Sequence, residues 1–590
     1  MLAAIARLAP YLLDYAICAY GQASSLFFGK HSLDSTTGPQ QGDPLASLFF
    51  PLALAAMHEA NPQLRQLLAA LDVRVFYQDD ISLCGEWARV RPVLELLEAE
   101  LAKIGLTLNT RKTVVYAPAS VKLSGCRFPQ HDIDDLVVLG CPCGSPAAVA
   151  RLLAPAVGKW AKQLQIIANL PHKHVALALL HFCASSSKVM HLMRGLGPVD
   201  QLWKQCDDLI AGALCTIVGG LLPPAAHQQA TAPLRFGGLG VRQIDVHASV
   251  AHCVALRRAI EQHRTLCAAD HTPTLLTAAT ECANACRHLA TVTEFKNKFL
   301  TLLRTDASRP CPKDMQSAAS HAVEEQRHAK RLGDKSIRIR DRSRIAACSA
   351  KYTGLVYYGA TFATSARLWL DNSTFVAATR LRLGIPIGPE RPCVLCHGKT
   401  TADALGDHSL SCLHGGNKTL LHHEVLDVIF NLASKLGGIP AREAHPFPDA
   451  DNNNMRMDVV VRCPGNRDHA LLCDVAITHP LAQSHLANAS YRDQPAGAAT
   501  AYEAVKRQKY AAGVASLNNA SLRPLVFDTF GGLSSTCAAT IKDFALLWAA
   551  RVGLAASTAV RVVMHRLVFT VVQGAARIAN LNAAAYADRA

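Results

Sequence analysis

The sequence predicts a multidomain protein of mixed α/β and α+β class. Residues 1–145 and 417–540 alternate strand-like runs with helical ones, while residues 146–300 are Ala/Leu-rich and helical by pattern. The 590 residues are several times the roughly 100–200 of one domain, so more than one core is expected. Half of the chain is apolar and 18% is charged, which excludes wholesale disorder.

Lys and Arg number 60 against 45 Asp and Glu, a net charge of +15. That excess points to a polyanionic partner, nucleic acid before an anionic membrane. The 20 Cys are spread through apolar stretches such as Leu83-Cys84 and Leu472-Cys473. Their placement suits buried thiols in a reducing compartment, with a few metal ligands among them. No secretory signal is evident at MLAAIARLAPYLLDYA, and the most apolar run, Leu209 to Leu222, is shorter than a membrane span and meets Pro223-Pro224. No membrane partner is expected.

In chain order, Leu71 to Ile81 alternates β-branched and aromatic residues and predicts a strand turning at Asp79-Asp80. Residues 90–104 have a helical period, Gly105 stops that helix, and a strand is expected at Leu106 to Asn109. Residues 301–390 form a basic linker or helical region. From Arg327 to Arg344 eight Lys/Arg stand against two Asp. Arg338, Arg340, Arg342 and Arg344 predict either a solvated surface or a phosphate-binding strip. Further on come a Cys/His cluster at 391–416, a helix around 419–436, strands at Met455 to Arg462 and Ala470 to Thr478, a helix around 499–516, and a strand at Leu522 to Phe530. Residues 541–590 form a basic, Ala-rich helical tail.

Three constellations carry chemistry. In Tyr77-Gln78-Asp79-Asp80, adjacent carboxylates repel unless a divalent cation such as Mg²⁺ neutralises them, as two-metal phosphoryl transfer requires. In Cys393-x2-Cys396-x11-His408-x3-Cys412, a close Cys pair and a His/Cys pair one helical turn apart suit structural Zn²⁺, with His414, His422 and His423 as competing ligands. Gly398-Lys399-Thr400 lacks the earlier glycine of a phosphate loop, because Cys393 stands there. Third, Asp458 and Asp474 each interrupt an apolar strand. Their spacing of 16 suits neighbouring strands of a hairpin, where the two can share Mg²⁺. Lys506 and Lys509 fall with Tyr502 on one helix face, next to Tyr510, and a lysine there can orient water or stabilise developing charge.

The segments GPQQGDPLASLFFPLAL, YQDD, GLTLNTRKT and VLGCPCG, in that order, resemble the palm of a reverse transcriptase, most closely that of non-LTR retrotransposons. The resemblance implies that Gln41, Gly42, Asp43 and Pro44 contact template and nucleotide. It implies that Tyr77, Asp79 and Asp80 form the metal-binding turn, and that Gly105, Leu108, Asn109 and Lys112 form the next motif, with Lys112 near the triphosphate. Leu139 and Gly140 match a hairpin near the primer. The family carries a further metal-binding Asp on an earlier strand. Here only Asp14, in a helix-like segment, and Asp34, in a Ser/Thr turn, precede the QGDP loop. The chain is therefore expected to begin after that motif, giving a partial palm over 1–145 that polymerises poorly or not at all.

Residues 146–300 would then be a helical thumb and connector. LRFGGLGVR at 234–242 and RLRLGIP at 380–386 resemble the segments after the thumb and before the zinc knuckle of this class. The Cys/His segment resembles that knuckle, and 417–540 resembles its restriction-like PD-(D/E)xK endonuclease. By that match Asp458 and Asp474 are catalytic acids, Lys506 and Lys509 catalytic-lysine candidates, and Glu443 an accessory acid. Met457 replaces the usual Pro, and the Lys stands on the following helix rather than beside Asp474. The implied activity is target-primed reverse transcription, with Zn²⁺ and Mg²⁺ as cofactors and element RNA and genomic DNA as partners. The implied location is the nucleus, with the cytoplasm during synthesis. Competing expectations are an inactive remnant that binds nucleic acid through zinc, and an active nuclease beside a dead polymerase.

Overall fold

The computed structural model describes the chain except residues 41, 198, 267–271, 286–310, 359–367, 438, 448–454, 463–468 and 585–590. It is a mixed α/β protein, mainly helical with small sheets. Its contacts divide into two compact units, one of Met1–Pro155, His191–Val199 and Ser249–Gln316, the other of Ala156–Met190, Asp200–Ala248 and Ser317–Ala590.

In the first unit, Leu54, Leu64, Leu68, Leu71, Val93 and Leu97 form a core between the helices Ala46–Ala60, Pro62–Ala69 and Trp87–Lys103. On this core lies an antiparallel hairpin, Val73–Tyr77 with Asp80–Cys84. The turn residue Gln78 has φ 56°, the left-handed value that a tight two-residue hairpin demands. A second hairpin joins Val137–Val138 to Cys141–Pro142 through Leu139 and Gly140, both at positive φ, where the resemblance implied a hairpin. Two expectations need correction. Leu106 to Asn109 is not a strand; it runs from the end of the Trp87–Lys103 helix to a turn in which the Asn109 side chain accepts the amides of Arg111 and Lys112. The next strand is Val115–Ala117. Asp34 lies in a hairpin strand, His31–Ser35, rather than in a turn.

In the second unit, the sheet contains β1 (Ile439–Ala444), β2 (Met457–Arg462), β3 (Ala470–Thr478) and β4 (Ala520–Asp528) in that spatial order. The first three are antiparallel and β4 is parallel to β3. A parallel neighbour requires a crossover, supplied by the helix Gly497–Ala515. Met457, Val460, Leu472 and Tyr510 pack together beneath that helix. The helix Asn417–Lys435 packs on β1, β2 and β3. The tail helix Ala556–Ala584 is long and apolar enough to cross a membrane, but it is mostly buried against the helices Asn372–Leu383, Asn417–Lys435 and Ser535–Val552, as a core helix is. The Cys/His segment, residues 417–540 and the tail therefore belong to one unit.

The two glycine-rich landmarks meet in this unit. The buried Arg382 donates to the carbonyls of Gly238 and Leu234 at 3.0 and 2.8 Å. No Cβ fits at Gly238, which lies against the carbonyls of Ala232 and Gln229.

Asp528 closes β4. Its Oδ1 accepts the amides of Phe530 and Gly532, both at 2.9 Å, while Oδ2 is buried without a hydrogen bond. Burial pushes this carboxyl up to about 6, against the pull of the two amides. Because the folded value lies above the ordinary 3.8, the group favours folding while protonated. That contribution is complete below the ordinary value and is lost as pH rises through about 6. The loss is worth about 3 kcal/mol at most. Asp528→Asn keeps the acceptor and removes the ionisation. It is expected to flatten the fall in thermal stability between about pH 4 and 6, and to melt above the wild type at neutral pH. Melting curves across pH check this.

Candidate nuclease and zinc sites

The pairing of β2 with β3 runs from Arg462↔Ala470 to Val459↔Cys473. One step further, the same register sets Asp458 opposite Asp474. The ladder ends there and the two carboxylates turn to different partners. Asp458 Oδ2 accepts the Val475 amide at 2.7 Å and lies 3.3 Å from His422 Nε2. Asp474 Oδ1 accepts the Tyr510 hydroxyl at 2.7 Å, and its Oδ2 pairs with Lys506 Nζ at 2.9 Å. Burial alone would raise the Asp458 carboxyl. Its hydrogen bond to His422, the charge of that ring, the Val475 amide and Lys506 outweigh burial and hold it below the usual carboxylate range. The Asp458 hydrogen bond in turn raises His422 above its ordinary value despite burial. Burial and Asp474 push the Tyr510 phenol far up, so it stays a donor.

These groups line an open cavity of about 440 Å³, with Lys509, Lys418 and Arg456 at its wall. Lys506 is largely buried, whereas Lys509 is exposed and contacts Tyr510 Oη at 3.2 Å. The geometry therefore separates two lysines that are equivalent by spacing alone. Glu443 is half-exposed, at φ 48°, and pairs with Arg456 at 3.2 Å. Asp474 Oδ2 is buried with the Lys506 ammonium 2.9 Å away, an anionic position that a divalent cation could share with Asp458. As placed, no third Cys, His, Asp or Glu among the described residues joins the two acids in a ligand group.

Cys393, Cys396, His408 and Cys412 bring their donor atoms within 4.8 Å of one another. Cys396 Sγ lies 3.7 Å from His408 Nε2. A tetrahedral Zn²⁺ with Zn–S of about 2.3 Å and Zn–N of about 2.0 Å has an S···N edge of roughly 3.6 Å, so the set fits zinc. Local sequence builds it. His397 and Gly398 adopt positive φ and return the Gly398 amide to the Cys393 carbonyl at 2.8 Å. Asp403 accepts the amides of Leu405, Asp407 and His408 and caps the short helix that carries His408. His414 is exposed, His422 lines the cavity with Asp458 and Asp474, and neither belongs to the four-ligand group. Asn582, 189 residues beyond Cys393, carries no sequence signal of its role. It donates to Cys393 Sγ at 3.6 Å and to Ser409 Oγ at 2.7 Å, and accepts the Val394 amide at 2.9 Å.

The palm-like residues are differently placed. Tyr77, Asp79 and Asp80 are exposed at their hairpin turn. Among the described residues no third Cys, His, Asp or Glu joins them in a ligand group, and their sheet has two strands. Asp43 is held by Tyr20 Oη and by the Leu45 amide, Gly42 has φ 96°, and Lys112 is exposed beside the Asn109 turn. Gln41 lies outside the described residues.

The arginine strip is corrected in part. Arg338 is exposed and pairs with Asp341. Arg340 forms a two-pronged pair with Asp407, and Arg342 reaches the Asp334 carbonyl at 3.4 Å. Arg344 is buried on Gln229 Oε1 at 2.7 Å and on the Arg382 carbonyl, so it is not free to hold a phosphate. Arg344→Met is expected to cost about 3 kcal/mol of stability and to leave the salt dependence of nucleic-acid binding unchanged. Arg338→Gln tests the opposite pattern, and salt titrations of binding separate the two.

No protein-family model and no curated protein matches this chain.

Proposed function

We propose that this protein is a retroelement-derived nucleic-acid enzyme whose working centre is a metal-dependent DNA endonuclease of restriction-like type, steadied by a zinc knuckle. One observation carries the reading. Asp458 and Asp474, each one residue past the end of the β2–β3 ladder, line one cavity that also receives Lys506. Placing two acids and a lysine there is costly in a purely structural role. When bound, a divalent cation such as Mg²⁺ would polarise the scissile phosphate and acidify the attacking water. Asp458 and Asp474 would hold it. Tyr510 orients Asp474 through its hydroxyl, and Lys506 supplies positive charge where the phosphate becomes more negative. Lys418, Lys509 and Arg456 line the cavity and suit a DNA backbone.

For the palm-like unit we propose the same ancestry without polymerase activity in this chain. Asp79 and Asp80 supply two carboxylates, and two-metal transfer leans on a third ligand that bridges the ions. Element RNA and genomic DNA remain the proposed partners, and target-primed reverse transcription the process to which the nuclease belongs.

The test is direct. The zinc-loaded chain is incubated with supercoiled plasmid and Mg²⁺, and in parallel with a primed RNA template and deoxynucleotides. Nicking that chelation stops, together with no primer extension, is the expected result. Robust extension would overturn the polymerase half. The absence of nicking with Mg²⁺ and Mn²⁺ alike would overturn the nuclease half and leave a zinc-dependent binding protein.

A further inference from the structure

We propose that His422 is a nitrogen ligand of the nuclease metal and biases that site toward Mn²⁺-like transition ions over Mg²⁺. The proposal rests on the nuclease reading above. His422 belongs to the helix Asn417–Lys435, which follows the zinc knuckle directly. Its ring is half-buried and lines the cavity shared by Asp458, Asp474 and Lys506. Nε2 lies 3.3 Å from Asp458 Oδ2 and 3.2 Å from the Val475 carbonyl oxygen.

Those distances are informative. Nε2 divides its hydrogen bonding between these two oxygens, and each contact is longer than the about 2.7–2.9 Å of an undivided charge-assisted bond. By contrast, adjacent ligands of an octahedral cation with bonds of about 2.1–2.2 Å are separated by roughly 3.0–3.1 Å. One nitrogen and two oxygens at 3.2 and 3.3 Å thus stand close to the spacing of neighbouring coordination corners. The Val475 amide grips the same Asp458 oxygen at 2.7 Å, which fixes the carboxylate facing the ring. Asp474 stands outside this trio, because Lys506 and Tyr510 hold its two oxygens. It would complete the set when the cation takes the place of the Lys506 ammonium.

The zinc set does not need this ring, since His408 already completes four ligands. His423, beside it at a ring separation of 5.6 Å, also borders the cavity but is exposed, and it serves as a control for a nearby imidazole that does not contact Asp458 Oδ2 in this structure. Oxygen-only sites suit Mg²⁺, whereas an imidazole nitrogen raises affinity for later divalent ions along the Irving–Williams order.

The experiment uses the full zinc-loaded chain carrying Asp79→Asn and Asp80→Asn, which removes the other carboxylate pair. One equivalent of Mn²⁺ is added, and pulsed electron paramagnetic resonance reads coupling from directly bound ¹⁴N. The parent is expected to show one imidazole nitrogen. His422→Gln is expected to lose that coupling and about tenfold in Mn²⁺ affinity, with zinc content and circular dichroism unchanged, while His423→Gln keeps both. His422→Asp is expected to bring Mg²⁺ and Mn²⁺ affinities closer by about tenfold. If Mn²⁺ binding depends on Asp458 and Asp474 but shows no ¹⁴N coupling, or if coupling survives in His422→Gln, the ligand role is overturned and the nuclease reading stands. If Mn²⁺ affinity is indifferent to Asp458→Ala and Asp474→Ala, both fall.

Discussion

Asp474→Asn is expected to lower Mg²⁺-dependent nicking by roughly three orders of magnitude or more, with DNA affinity changed by less than about threefold. The side chain is 4% exposed and holds Tyr510 and Lys506 at 2.7 and 2.9 Å. Asparagine keeps the size and can still accept from Tyr510, so the fold is preserved while the negative charge is lost. Lys506→Met is expected to cost about a hundredfold, in the range seen when one charge-stabilising donor is removed. Lys509→Met is expected to cost about tenfold or less, because that side chain is exposed and touches Tyr510 rather than an acid. Plasmid nicking rates give the first quantity and fluorescence anisotropy with a labelled duplex gives the second. Equal nicking by Asp474→Asn and wild type would remove the site assignment. A larger loss at Lys509 than at Lys506 would reverse the roles of the two lysines.

Much of that site is legible in the sequence for a local reason. Asp458 and Asp474 each break an apolar run, and a residue that breaks a buried pattern advertises a purpose. Their spacing suits the hairpin whose ladder, Val459↔Cys473 to Arg462↔Ala470, ends beside them. The YQDD hairpin and the zinc ligands are legible in the same way, since their geometry is set within a few residues or by paired spacing. The illegible parts depend on partners distant in the chain. Arg344 sits in a basic alternation that looks solvated, and besides Asp341 three residues before it, it is buried on Gln229 and the Arg382 carbonyl, 115 and 38 residues away. Proximity in sequence groups His422 with the zinc ligands, whereas its contacts are 36 and 53 residues downstream. The strand expected at Leu106 to Asn109 forms no ladder, and just beyond it the Asn109 side chain accepts the Arg111 and Lys112 amides and turns the chain.

Removing zinc is expected to lower the melting temperature of the unit that contains the knuckle by about 10 °C or more, and to abolish nicking even with Mg²⁺ in excess. Cys393, Cys396, His408 and Cys412 draw two chain segments together, and without the cation their thiols have only weak hydrogen bonds to put in its place. Its loss would spread along two buried routes. Asn582 joins Cys393 and Ser409 to the tail helix, which packs on Asn417–Lys435, the helix that carries His422. Asp407, next to the ligand His408, pairs with Arg340 and lies 3.3 Å from His479, which sits just past β3. Both routes end at elements that frame the cavity, so an apo knuckle leaves the acids of β2 and β3 without their supporting wall. Asn582→Leu is expected to act as a partial version, weakening zinc retention about tenfold while nicking persists at saturating zinc. Calorimetry before and after a zinc-selective chelator, with readdition of Zn²⁺ or Mg²⁺ alone, checks the chain of effects. Rescue by Zn²⁺ and not by Mg²⁺ is required. An apo protein that melts and nicks as the loaded one does would show that the four ligands contribute nothing to the fold.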